Sequence, residues 1–216
     1  MKKVIFIMGV LFATVLLFSS CSAKHSNNSF ETTEQDIVVP RPLEYNTNVF
    51  WVVNPSSQEL SIIGQGPAYC GSGGSNCPWR MHQYRNDIRF VHILEGVTYL
   101  SPYSFAGLDI QSCIMDAPVS EVGMGTFQAC EKLVSVDLGN TKITRIPTEM
   151  FASCSSLTTV YLPSSLTSIA SYAFFGTAIQ TIYYPGSQEQ WKNIQIEEAG
   201  NDVLNQATII FNYRKE

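Results

Sequence analysis

The fold can be read outward from residues 157–174, LTTVYLPSSLTSIASYAF. Leu157, Val160 and Leu162 stand at L-x-x-V-x-L spacing, and the second half of that pattern alternates with a period of two, as a short strand with one buried face does. Leu166 and Ile169 continue the apolar series, and Ala173-Phe174 closes it by turning the chain back over the same interior. The pattern recurs upstream. Aligned on Ile88, Ile110, Leu133, Leu157 and Ile179, successive units are 22, 23, 24 and 22 residues long. The first carries Val91, Ile93, Val97, Leu100 and Phe105. The second carries Cys113, Met115, Val119, Val122 and Phe127. The third carries Val136, Leu138, Ile143, Ile146, Met150 and Phe151. With the residue before each Phe included, four units hold 28 inward positions, of which 26 are apolar or cysteine; Ser104 and Thr126 are the exceptions. At 45% hydrophobic composition an unpatterned chain would place about 13 there, so the repeat is a property of the sequence.

One such unit cannot bury its own apolar side, but stacked units share a continuous interior, each touching only its neighbours. Burial of each Phe or Leu contributes roughly 1.5–3 kcal/mol before chain entropy is subtracted. The expected fold is therefore a repeat solenoid whose short β-strands form one sheet. Its repeats span 88–178, and both open ends need caps. An N-terminal, β-rich cap is expected over 49–87, where Phe50-Trp51-Val52-Val53 and Leu60-Ser61-Ile62-Ile63 read as strands around the turn residues Asn54-Pro55-Ser56. A last strand and an α/β C-terminal cap are expected over 179–216. There Ser187-x-x-Gln190 has capping-box spacing ahead of a short helix, Trp191 can cover the end of the last repeat, and 207–211 can add a strand.

Residues 157–174 resemble the BspA-like leucine-rich repeats, a bacterial surface-protein family. Leu60-Ser-Ile-Ile-Gly64-Gln-Gly66, Pro78-Trp79 and Glu95-Gly96-Val97-Thr98 are similar to that family's N-terminal cap running into its first repeat. Tyr183-Tyr184-Pro185-Gly186, Glu189-Gln190-Trp191 and Ala207-Thr208-Ile209-Ile210 are similar to its C-terminal closure. The resemblance covers residues 50–213 and implies a role in adhesion. Two departures stand out: the second halves of repeats two and three are degenerate, and the cap loop holds the pair Cys70 and Cys77.

The N-terminus is a targeting segment. Lys2 and Lys3 precede an uncharged run, Val4 to Phe18, which is shorter than the about 20 apolar residues of a spanning helix. Leu17-Phe18-Ser19-Ser20-Cys21 resembles a bacterial lipobox, which implies a lipoprotein signal over 1–20, cleavage before Cys21 and acylation of that cysteine. An ordinary cleaved signal is the alternative. Ser22 after the cysteine is compatible with outer-membrane sorting. Residues 21–48, rich in Ser, Asn, Thr, Glu and Pro, read as a flexible tether. The expected location is the cell envelope, on an outer membrane, with the only membrane contact through lipid.

Composition narrows the chemistry. The net charge is -5 and no Lys/Arg stripe is present, so nucleic-acid binding is not expected. Cys70 and Cys77 flank a Gly-rich loop in an exported chain, where disulfides persist, and are a candidate disulfide. A lone C-x6-C lacks the further ligands that zinc needs, and no Gly-Lys-Ser/Thr makes the loop a phosphate cradle. Cys113, Cys130 and Cys154 fall on inward positions and read as buried thiols, with a bond between Cys130 and Cys154 as the lesser alternative. A catalytic thiol would need a basic partner, and of the two histidines in the folded part His92 falls on a strand face and His82 in the cap. No catalytic residue, cofactor or metal site is expected.

What remains is the outward face of the strands. One row comprises His92, Ile114, Asp137, Tyr161 and Tyr183, the next Phe90, Ser112, Ser135, Thr159 and Thr181. The candidate ligand surface is Phe90, His92, Ile114, Asp137, Thr159, Tyr161, Thr181 and Tyr183. Aromatics are enriched where proteins bind proteins, although ordinary strand propensity favours the same residue types. The leading expectation is a module that binds a protein or matrix component. The alternatives are a structural component of an envelope complex and a glycan-binding module.

Overall fold

In the computed structural model, residues 41–43, 46–71, 76–81, 83 and 85–215 are described. The stretch read as a targeting segment, Cys21, most of the expected tether, the tip of the Gly-rich loop and His82 lie outside the described residues.

The chain enters on two antiparallel strands, β1 (Arg41–Leu43) and β2 (Asn46–Asn54), and turns into β3 (Glu59–Gly64). A short strand β4 (Gly66–Ala68) and a helical turn α1 (Pro78–Met81) follow. Four coils then each contribute two strands. These are β5 (Phe90–Ile93) with β6 (Val97–Leu100), and β7 (Ser112–Met115) with β8 (Glu121–Val122). The next are β9 (Ser135–Asp137) with β10 (Arg145–Ile146), and β11 (Thr159–Tyr161) with β12 (Ser168–Ile169). The closing segment comprises β13 (Thr181–Tyr183), helix α2 (Gln188–Lys192), β14 (Gln195–Ile196) and β15 (Thr208–Ile210).

The first strand of every coil joins one nine-stranded sheet in the order β1-β2-β3-β5-β7-β9-β11-β13-β15, parallel from β3 onward. The second strands form two smaller parallel sheets, β4-β6-β8 and β10-β12-β14. Register is uniform: Leu60, Val91, Cys113, Val136, Val160, Ile182 and Ile209 are successive lateral partners. A parallel ladder of this kind keeps equivalent side chains stacked, so an inward residue in one coil meets its counterpart in the next.

All 28 inward positions read from the repeat are buried, none more than 6% exposed, including Ser104 and Thr126. The Phe residues that close the coils stack in a column. Ring centroids are 5.3 Å apart for Phe105–Phe127, 5.7 Å for Phe127–Phe151 and 5.2 Å for Phe151–Phe174. Trp79 extends the column at its N-terminal end, 5.6 Å from Phe105, and its indole N–H donates to the Ser104 carbonyl at 2.8 Å.

The turns that carry these rings have a second regularity. The residues two before and two after each Phe are left-handed: Tyr103 and Gly107, Gly125 and Ala129, Glu149 and Ser153, Tyr172 and Gly176. This geometry points alternate N–H groups along the stack. The N–H groups of Gly125, Phe127 and Ala129 donate to the carbonyls of Thr148, Met150 and Ala152 in the next coil.

Two boundaries differ from the sequence reading. Strand structure is present before residue 49: β1 and the start of β2 lie within the span read as tether. The reason is that Leu43 has a place in the core, being 1% exposed, while the Arg41 guanidinium lies over Trp51 at 5.6 Å. Pro42, which made the segment look extended and free, is tolerated because β1 is an edge strand. The parallel stack also starts earlier than residue 88, because Leu60 and Ile62 supply the same inward pair as Val91 and Ile93. At the other end Ser187 caps α2 with a reciprocal capping box to Gln190, and Trp191 packs edge-on against Tyr184 at 5.4 Å. Among the described residues, no helix is long and apolar enough to cross a membrane.

Candidate functional site

Strand parity decides what faces outward. Between the buried Val or Cys and its buried neighbour, each strand of the main sheet exposes one side chain, and parallel register aligns these across coils. Ser61, His92, Ile114, Asp137, Tyr161, Tyr183 and Ile210 are consecutive lateral partners. Beside them run Glu59, Phe90, Ser112, Ser135, Thr159, Thr181 and Thr208. The eight residues singled out in the sequence thus share one face in two adjacent rows, which Glu59, Ser61, Thr208 and Ile210 extend. Phe90 and Ile114 are each 40% exposed and Ile210 is 39% exposed, a large apolar content for a solvated strand face.

The face has an aromatic part and a charged part. Tyr161 and Tyr183 stack with centroids 4.5 Å apart and planes within 9°. Tyr213 lies on the pair, 5.4 Å from Tyr161 and 4.8 Å from Tyr183. Partial burial, then the neighbouring Tyr183 and Tyr213, push the Tyr161 phenol up, so it stays a neutral donor at ordinary pH. Next along the row, Asp137 accepts from the Lys215 ammonium at 2.7 Å, and Lys215 also stands 3.7 Å from Asp116. Asp116 accepts from His92 Nε2 at 2.8 Å and from the Asn140 amide at 2.9 Å. Glu59 Oε1 lies 4.0 Å from the other ring nitrogen of His92, Nδ1, and accepts from Ser61 at 2.8 Å.

Burial is the largest single influence on Asp116 and pushes its carboxyl up. Hydrogen bonds from His92 and Asn140 and the Lys215 charge outweigh it, and the carboxyl lies below its ordinary value. The hydrogen bond to Asp137 likewise raises Lys215. Both groups are therefore charged at neutral pH.

Asp116, Asn140, Tyr213 and Lys215 were not read from the sequence. Asp116 has a detectable signal, since it continues the outward parity of Ser112 and Ile114 one step beyond the strand. Tyr213 and Lys215 belong to no repeat and reach the face only because the chain doubles back after β15. Asn212 is left-handed there (φ 55°), and the N–H groups of Asn212 and Tyr213 donate to the carbonyls of Gly186 and Tyr184.

The cysteines lie elsewhere. Cys70 and Cys77 are paired with Cα atoms 4.9 Å apart, and both are buried. The Cys70 N–H donates to the buried Ser101 hydroxyl at 2.9 Å. Cys113, Cys130 and Cys154 are free and buried. Cys130 and Cys154 donate to the carbonyls of Phe105 and Phe127, each one coil back. Burial pushes the Cys113 thiol far up, and the contact with Cys130, then burial, does the same to Cys154. Neither supplies a thiolate to a substrate. Among the described residues, no group of three or more His, Cys, Asp or Glu is arranged to hold a metal ion.

Stacked parallel coils with a shared interior and an outward strand face define a leucine-rich-repeat solenoid. The chain belongs to the BspA type leucine rich repeat family, whose pattern matches residues 81–198 in six copies. It is similar in fold to a leucine-rich repeat protein from Eubacterium ventriosum ATCC 27560, with a TM-score of 0.61 and 19% identity, over 81% of this chain and 44% of that one. It also aligns with a leucine rich cell surface protein from Faecalibacterium prausnitzii A2-165, with a TM-score of 0.44 and 19% identity, over 74% of this chain and 43% of that one. The chain thus spans less than half the length of either solved protein. No curated protein matches it in sequence.

Proposed function

We propose that the protein is an exported, lipid-anchored binding module of the cell envelope, held to a membrane through Cys21, and that its outward strand face recognises a protein partner. The observation that carries this reading is the composition of that face. In-register rows juxtapose a stacked tyrosine pair, exposed Phe90 and Ile114, and a line of carboxylates. Aromatic side chains flanked by charge give large contact area together with orientation, the combination found at protein-binding hot spots. The repeat family supports a scaffold that binds rather than one that catalyses. The Cys21 anchor rests on the lipobox-like residues 17–21 and the short apolar run before them.

The test is capture of partners from envelope and matrix fractions by the full chain, compared with a Tyr161→Ala/Tyr183→Ala variant. The native face should retain a partner that the variant loses, with affinity down by about tenfold or more, as expected when hot-spot aromatics are truncated. Equal recovery by both proteins would remove the strand face from the function.

A further inference from the structure

The segment that crosses the strand face shows what the face accepts. After β15 the chain reverses at Asn212 and lays Tyr213 on the Tyr161–Tyr183 pair. Two residues later Lys215 reaches Asp137 and Asp116, which belong to the neighbouring coils. In an extended segment, residues i and i+2 point the same way about 6.5–7 Å apart, while adjacent strands are about 4.8 Å apart. Tyr213 thus sets its ring against Tyr161 of β11 and Tyr183 of β13, and the long Lys215 side chain carries a cation to Asp137 of β9 and to Asp116 just past β7. Recognition here is by side chains across the sheet, not by addition of a strand to its edge.

The segment is held by the Tyr213 ring contacts and by Lys215, which is 46% exposed and pairs at 2.7 Å with Asp137 (15% exposed) and at 3.7 Å with Asp116 (41% exposed). Beyond Lys215 the face continues through Ile114 and His92, with Phe90 and Glu59 in the adjacent row, and Phe90 and Ile114 are exposed. The site is thus filled by a short internal segment and extends past it.

We propose that residues 213–215 are a displaceable internal ligand. The external partner is then an extended polypeptide segment carrying an aromatic residue and, two positions later, a lysine or arginine. This rests on the reading of the strand face as a binding surface and specifies its ligand. Charge complementarity favours it: with the internal lysine withdrawn, Asp116 and Asp137 present two neighbouring carboxylates to an incoming cation.

The experiment uses a fluorescent peptide carrying residues 212–216 (NYRKE) and the full chain, either native or opened by Tyr213→Ala/Lys215→Ala. Anisotropy titration should show the opened chain binding the peptide about tenfold or more tighter than the native chain. Binding should fall by a similar factor when the peptide's Tyr and Lys are replaced by Ala, or when the opened chain also carries Asp116→Asn/Asp137→Asn. Both changes in the opened chain are at the surface, and an unaltered thermal melt verifies the fold. Equal binding by native and opened chains, including none by either, would overturn the proposal, as would equal binding of the Ala-substituted peptide. Such a failure leaves partner capture through Tyr161 and Tyr183 intact, so the two readings fail separately.

Discussion

At the residue scale, the repeat imposes conformations that its own sequence satisfies only in part. The turns on either side of each Phe need left-handed residues, and glycine fills this role at Gly107, Gly125 and Gly176, whereas Ala129, Glu149 and Ser153 fill it at a cost. A left-handed L-residue costs about 1–2 kcal/mol, and glycine's greater freedom in the unfolded chain returns about 0.5–1 of that. Ala129 is exposed and has little packing to lose. Ala129→Gly should therefore raise stability by roughly 0.5–1 kcal/mol in urea denaturation, and a loss of stability would contradict the assigned turn. These positions were hidden in the sequence because five of the eight are not glycine; the apolar pattern found the Phe but carried no information on its flanks. Ser104 and Thr126 are the converse case. Their inward placement followed from position alone, and the hydroxyl of Thr126 is satisfied by the Gly123 carbonyl at 2.6 Å.

At the element scale, a solenoid must end its hydrogen-bond ladder without leaving polar groups stranded. At the last Phe no further coil offers a carbonyl, and Asn201 takes its place. Its side-chain oxygen accepts from the Phe174 N–H at 3.0 Å, while its amide donates to the carbonyls of Ala170 at 2.8 Å and Glu197 at 2.6 Å. Asn201 is 3% exposed, so no water replaces it cheaply. Asn201→Ala should cost roughly 2–3 kcal/mol and speed amide exchange at Phe174, because each stranded buried group costs about 1–3 kcal/mol. A change below about 0.5 kcal/mol would show that the ladder ends by other means. The capping box at Ser187 was legible because it is a local motif with a fixed spacing. The role of Asn201 was not, since it depends on partners 27 and 31 residues away. The same distinction explains β1, where Leu43 finds its place only through pairing with β2.

At the scale of the whole molecule, periodicity determined most of what was legible. Translational repetition turns a one-dimensional spacing into a three-dimensional column, so the interior, the sheet and both outward rows followed from aligning Ile88, Ile110, Leu133, Leu157 and Ile179. The candidate face was therefore half visible. Its strand residues obey the repeat, whereas Tyr213 and Lys215 arrive by a reversal that no period encodes. The face exists only because the coils behind it share one interior, and that is the proposition to test. Phe127 sits mid-column with no exposed surface, its ring 5.3 Å from Phe105 and 5.7 Å from Phe151. Urea denaturation of Phe127→Ala, followed by circular dichroism, should show stability reduced by roughly 3–5 kcal/mol, the cost of a core cavity that neighbours on both sides cannot fill. A loss below about 1 kcal/mol, the level of a surface change, would mean that the coils do not share a continuous core.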